Sequence, residues 1–208
     1  MKIFLLGIQK YDNSDLKCVS ATLSGIEKCL IEQGIPKESI IKNDNIVEFK
    51  DIYNILKVNS TETSKADPAP WRIIENVDRV FTFFCGKISL TGSNQICVKD
   101  RQNLKSFSLN SWISDRISDA HYYLYIKSFG RIGDHEWSGP GCTQNTWVAI
   151  DQDESDSMNS CEKFIKVVKN SFHDINQFAE ELDLKTIPSH PKRGSEFDLK
   201  FTEMFKRK

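Results

Sequence analysis

Short apolar runs and helical stripes alternate along this chain. Residues 2–8, Lys2-Ile3-Phe4-Leu5-Leu6-Gly7-Ile8, form an apolar run that reads as a first buried strand. A polar loop follows over 9–17, with the turn-forming residues Asp12, Asn13, Ser14 and Asp15. Val19, Leu23, Ile26 and Leu30 then recur at helical spacing, and Gly34 with Pro36 stops that helix. Residues 39–42 read as a short strand. Residues 46–58 read as a second helix with Phe49, Ile52, Tyr53 and Leu56 on one face. The polar stretch 59–69 reads as a surface loop, closed by Pro68 and Pro70, and 71–77 as a helical turn.

The run Val80-Phe81-Thr82-Phe83-Phe84-Cys85 carries no charge and stops at Gly86-Lys87. A strand buried on both faces of a parallel sheet reads this way. The residues past the carboxyl end of such a strand are where open α/β sheets form sites, so Cys85-Gly86-Lys87 stands where chemistry is done. Residues 88–99 read as a hairpin around Thr91-Gly92-Ser93-Asn94. A helix is expected over 109–117, with Trp112, Ile113 and Ile117 inward and Ser108 as its cap. A tyrosine-rich strand covers 121–126, a glycine-rich loop 127–145 and a further strand 146–150. Phe164, Val167, Val168 and Phe172 mark one late helix, and Ile175, Phe178, Ala179 and Leu182 another. A turn-rich connector over 188–194 leads to an alternating edge strand over 197–201. The sum is one α/β domain over 1–208, with a mostly parallel central sheet of about six strands and helices on both faces.

Composition narrows the partners. The net charge is −1, which gives no global field toward nucleic acid or an anionic membrane. No apolar run approaches the roughly 20 residues that span a bilayer, and the N-terminal run is too short for a signal peptide. The six cysteines include no C-x-x-C pair, which argues for reduced thiols in the cytoplasm rather than zinc or a disulfide framework. His121, His135, His173 and His190 are isolated from one another, so no metal site is expected, and no cofactor motif is present. Asp151, Asp153, Glu154 and Asp156 lack EF-hand spacing and read as a solvated acidic loop. Trp137 and Trp147 flank the long loop, as interface anchors or as packing over the sheet edge.

Gly7-Ile8-Gln9-Lys10-Tyr11 at the end of the first strand resembles the Gly-x-x-x-Tyr segment of the caspase-like fold in its metacaspase and bacterial-caspase form. Gly34-Ile35-Pro36 through Ile40, the hairpin after the third long strand and the proline-then-strand unit near Pro188 and Phe197 resemble it too. The resemblance covers almost the whole chain and implies a three-layer sandwich. It also implies a catalytic dyad, and there this chain departs. Where the family has serine-glycine-histidine-glycine, the chain has Cys85-Gly86-Lys87-Ile88. Where the family has aspartate, a small residue and the nucleophilic cysteine, it has Lys127-Ser128-Phe129. Phenylalanine cannot attack a carbonyl, and a lysine with its ordinary pKa of roughly 10.4 is a poor base at neutral pH. The resemblance therefore implies a pseudoenzyme that binds a protein, either an active caspase-like protease or itself, in a death or defence response.

Two further expectations concern binding. Lys10, Lys87, Lys127 and Arg131 are placed near one end of the sheet, as a basic cleft for an anion or acidic peptide. Asp100, just after the hairpin, stands either as a remnant of the family's pocket wall or as a solvated turn residue. The alternative function is an enzyme of another kind, a hydrolase or transferase using Cys85 beside Lys87, or that basic cleft. A flavodoxin-like nucleotide domain would share the alternation but should carry a phosphate-binding loop, and none is present.

Overall fold

The first apolar run becomes an interior strand, β1 (Lys2–Gly7), which takes a parallel neighbour on each side. The computed structural model describes residues 1–12, 14–58, 61–62, 71–72, 79–89, 95–101, 103–109, 121–132, 146–150 and 158–171. The 9–17 stretch is more than a loop: β2 (Lys10–Tyr11) and β3 (Ser14–Asp15) pair as a small antiparallel ribbon. Next come α1 (Cys18–Glu32), a 3-10 turn (Lys37–Ser39), β4 (Ile40–Asn43) and α2 (Phe49–Val58).

The end of α1 and the start of α2 each have a local cause. Past α1, Gly34 adopts φ +88°. Its N–H donates to the Ile31 carbonyl at 2.9 Å, and the Ile35 N–H donates to Leu30 at 3.0 Å. This is a Schellman closure, completed by burial of both Leu30 and Ile35. At the start of α2 the Asp51 carboxylate reaches back to accept from the Val47 and Glu48 N–H groups at 2.8 and 3.0 Å. Ile52 and Leu56 are fully buried and Phe49 meets Phe107 edge to face at 4.6 Å, as the helical stripe requires.

Residues 61–62 and 71–72, expected as loop and helical turn, form the paired strands β5 (Thr61–Glu62) and β6 (Trp71–Arg72). The central apolar run becomes β7 (Arg79–Ser89), longer than its charge-free part. The expected hairpin follows as β8 (Ile96–Asp100), paired antiparallel with β7 at Ile88↔Ile96. A second hairpin was not anticipated. Arg101 turns at φ +60° and β9 (Asn103–Phe107) returns along β8. The remaining elements are β10 (His121–Ile132), β11 (Thr146–Ile150) and α3 (Met158–Ser171). Here α1 and α3 pack on each other, and α1 covers β1 and β7, while α2 lies against β8.

Among the described residues the sheet has seven strands. Five run parallel in the order β4-β1-β7-β10-β11, and β8 and β9 add antiparallel pairings at the end of β7. The expected mostly parallel sheet of about six strands is thus corrected to a mixed one. The cause is local: residues 103–107 alternate too weakly to be read as a strand, and only pairing with β8 makes them one. Ile3–Leu6, Val80, Phe83 and Phe84 are fully buried. Burial of each such side chain stabilises the fold by about 2 kcal/mol. Phe83 and Tyr125 are register partners whose rings stack at 4.9 Å. The helix expected over 109–117 lies outside the described residues from 110 onward, as do the helix from 175 to 182 and the strand over 197–201. No helix among the described residues is long and apolar enough to cross a membrane.

Candidate functional site

One edge of β7 changes partner midway. β1 accompanies it as far as Gly7↔Cys85, and the Ile8 N–H donates to the Cys85 carbonyl at 3.0 Å. The chain then turns away into β2. β8 takes the same edge from Ile88 onward, where the Ser89 N–H donates to the Gln95 carbonyl at 2.9 Å. Between these two partners lie Gly86 and Lys87, and Tyr11 fills the gap. Its hydroxyl accepts from the Lys87 N–H at 2.8 Å and donates to the Cys97 carbonyl at 3.3 Å. The phenol thus stands where a ladder hydrogen bond between β7 and β8 would run. Burial pushes the Tyr11 hydroxyl far above its ordinary pKa, and the Lys87 N–H pulls it partly back. Gly86 is the residue that admits it: a Cβ there would sit 2.7 Å from the Tyr11 oxygen and 2.8 Å from the Phe84 ring.

The other edge of β7 is followed by β10. Register holds through Ser128↔Gly86 and resumes at Arg131↔Ile88, so Phe129 and Gly130 together oppose Lys87 in a bulge. Gly130 takes φ +111°, and Ser128 Oγ donates to its carbonyl at 2.8 Å. The loop expected over 127–145 is therefore strand as far as Ile132, and 133–145 lies outside the described residues.

The sequence's two dyad positions do come together, on neighbouring strands at the carboxyl end of the sheet. Both are enclosed. Phe129 is fully buried, and Lys127 Nζ lies 5.0 Å from its ring centroid. Lys87 is only 8% exposed, and its Nζ lies 6.0 Å from the Tyr11 ring centroid. The basic residues expected at one end of the sheet differ in burial. Lys87 and Lys127 are buried, Lys10 is exposed on the ribbon, and the Arg131 side chain lies outside the described residues. Asp100 closes β8 opposite Asn103; its side chain also lies outside the described residues.

Cys85, the candidate relocated nucleophile, has no exposed surface. Burial pushes its thiol well above the ordinary range, and Lys127 only partly opposes this. A thiol so held is a poor source of thiolate. Sequence reasoning gave Cys97 no role. Burial raises its thiol to about 12 against a pull from Lys87, and its Sγ donates to the Ile132 carbonyl at 3.4 Å. Tyr11 was legible only as part of the first-strand segment. Among the described residues no group of three or more His, Cys, Asp or Glu side chains is placed to hold a metal. Of the histidines only His121 is described, as the first residue of β10, and Trp147 stands opposite Tyr125 in β11. Trp137 and the acidic run 151–156 lie outside the described residues.

A second polar cluster ties β1 to β4. Gln9 Nε2 donates to the Asp44 carbonyl at 2.7 Å, and Ser20 Oγ donates to the Asp44 carboxylate. Lys42 pairs with Glu27 at 2.7 Å, and Lys99 pairs with Asp12. The Gln9, Ser20 and Lys99 contacts hold the loop residues Asp44 and Asp12. No protein-family model and no curated protein matches the chain.

Proposed function

We propose that this chain is a catalytically inactive caspase-like domain that works by binding another protein. One observation carries the reading: the two positions at which the resemblance sets base and nucleophile face each other across β7 and β10, and they are occupied by a buried lysine and a fully buried phenylalanine. The parallel order β4-β1-β7-β10-β11, with a hairpin after the third long strand, supports the caspase-like assignment. A three-layer arrangement follows from it, because right-handed crossovers on either side of β1 send α1 and α2 to opposite faces. The five described cysteines are buried, which suits a reducing, cytoplasmic compartment. The partner is an active caspase-like protease or a second copy, joined at a sheet edge. Among the described residues β4, four residues long, ends the sheet on one side.

The test is turnover of fluorogenic peptides with Asp, Arg or Lys before the scissile bond, under reducing conditions, with and without calcium. The expected result is no cleavage above buffer and no labelling by a thiol-directed peptidyl probe. Cleavage that disappears in Cys85→Ala would overturn the reading in favour of a thiol enzyme. The binding half is tested by affinity isolation from native lysate, in which a caspase-like protease or a second copy is the expected companion. Recovery of neither, with the bait intact and monomeric, would count against it.

A further inference from the structure

Among the described residues nothing of opposite charge meets Lys87. It is 92% enclosed, at the seam where β1 leaves β7 and β8 arrives. Its backbone N–H is satisfied by Tyr11. Among the described residues no carboxylate or carbonyl lies within hydrogen-bond or ion-pair distance of its Nζ, which faces the aromatic ring of Tyr11. A cation–π contact contributes on the order of 1 kcal/mol. Withdrawing an ammonium from water costs several times that unless an opposite charge meets it. Lys99 in β8, by contrast, is paired with Asp12. The thiol of Cys97, held protonated, brings no negative charge.

We infer that Lys87 is the receptor for one carboxylate brought by a ligand, the side chain of an Asp or Glu on a bound protein segment. A single ammonium matches a monoanion; a phosphate dianion calls for two or more cationic donors. The ammonium is reached past the residual exposure of Lys87, and its Nζ is not among the enclosed orphan atoms of the structure. That the carboxylate belongs to a protein rests on the binding-module reading; the anion site itself does not.

The experiment follows the side-chain Nζ resonance of Lys87 by nitrogen-15 NMR during titration with acetate, with N-acetyl-aspartate amide and with N-acetyl-asparagine amide. Expected are saturable shifts with acetate and the aspartate probe, none with the asparagine probe, and at least about tenfold weaker binding in Lys87→Met by a calorimetric readout. The wild-type comparison stands without the variant. If the Lys87 signal moves no more than that of the exposed Lys28, or moves equally with both amides, the inference fails. Saturation by acetate with no response to the aspartate probe overturns the protein ligand. The peptidase assay is independent of all these outcomes, so loss of the anion site and loss of the inactive-domain reading are separately visible.

Discussion

The Tyr11 hydroxyl and the Lys87 backbone N–H, 2.8 Å apart, form a hydrogen bond that replaces a rung of the sheet. Deleting that hydroxyl leaves the Lys87 N–H and the Cys97 carbonyl facing each other across a gap with no partner. Tyr11→Phe should lower unfolding stability by about 1–3 kcal/mol. Urea denaturation measures it. A change within experimental error would mean that β7 and β8 close onto each other and remake the rung.

Gly86→Ala should cost about as much through a different route, overpacking by about 1–3 kcal/mol, because the new methyl meets two aromatic groups that are themselves held in place. The two substitutions share one space. A double-mutant cycle of Gly86→Ala with Tyr11→Phe should therefore be non-additive, with the second change costing less in the presence of the first. Additive costs would show that the methyl is accommodated elsewhere.

Gly34→Ala is a purely conformational test. A Cβ there meets nothing within 4 Å, but φ +88° is disfavoured for alanine. The expected loss is about 1 kcal/mol, read as a lower thermal midpoint with an unchanged denaturant slope.

Alkaline pH should unfold the protein. The Cys97 thiol is raised from 9.0 to about 12 in the folded chain. Above about pH 9 the unfolded chain loses that proton while the folded chain keeps it, so stability falls as pH rises toward the folded value. The slope is about 1.4 kcal/mol per pH unit for each thiol so held. Cys85 acts in the same direction, its thiol also raised by burial. Urea midpoints between about pH 8 and pH 10.5 should drop less steeply in Cys97→Ala than in the wild type. Equal slopes in the two proteins would remove Cys97 from the account.

The same burial makes a kinetic statement. Cys85, Cys97 and Cys161 should react with a small alkylating agent only as fast as the fold opens, and all three should label promptly in denaturant. Fast native labelling of Cys85, located by peptide mapping, would revive the thiol-enzyme alternative.

Strong patterns in the sequence carried through to the structure. The runs at Ile3–Leu6 and Val80–Phe84 read as interior strands because every position in them is apolar or β-favouring, and the stripe Val19, Leu23, Ile26, Leu30 read as a helix for its spacing. What stayed hidden depends on partners. Residues 103–107 have no clear alternation and become β9 only against β8. Lys127–Ile132 looked like the start of a loop, since a lysine, a serine, a glycine and an arginine interrupt it; the bulge at Phe129-Gly130 is what lets such a segment stay in the sheet. At the candidate site the sequence named Lys87 and Phe129 but not their burial. A lysine reads as solvated, and only the fold shows Lys87 buried against the Tyr11 ring. Tyr11 could not be assigned from spacing, because its two backbone partners lie 76 and 86 residues away.

The partner change along β7 also singles out one amide. In every other rung of that edge a neighbouring strand shields the N–H, so its exchange with solvent reports on the sheet. At Lys87 the shield is a side chain carried by a two-residue ribbon strand. Hydrogen exchange at this position therefore reads the docking of the β2–β3 ribbon rather than the integrity of the sheet, and it would report the ribbon lifting away while every strand beside it stays paired.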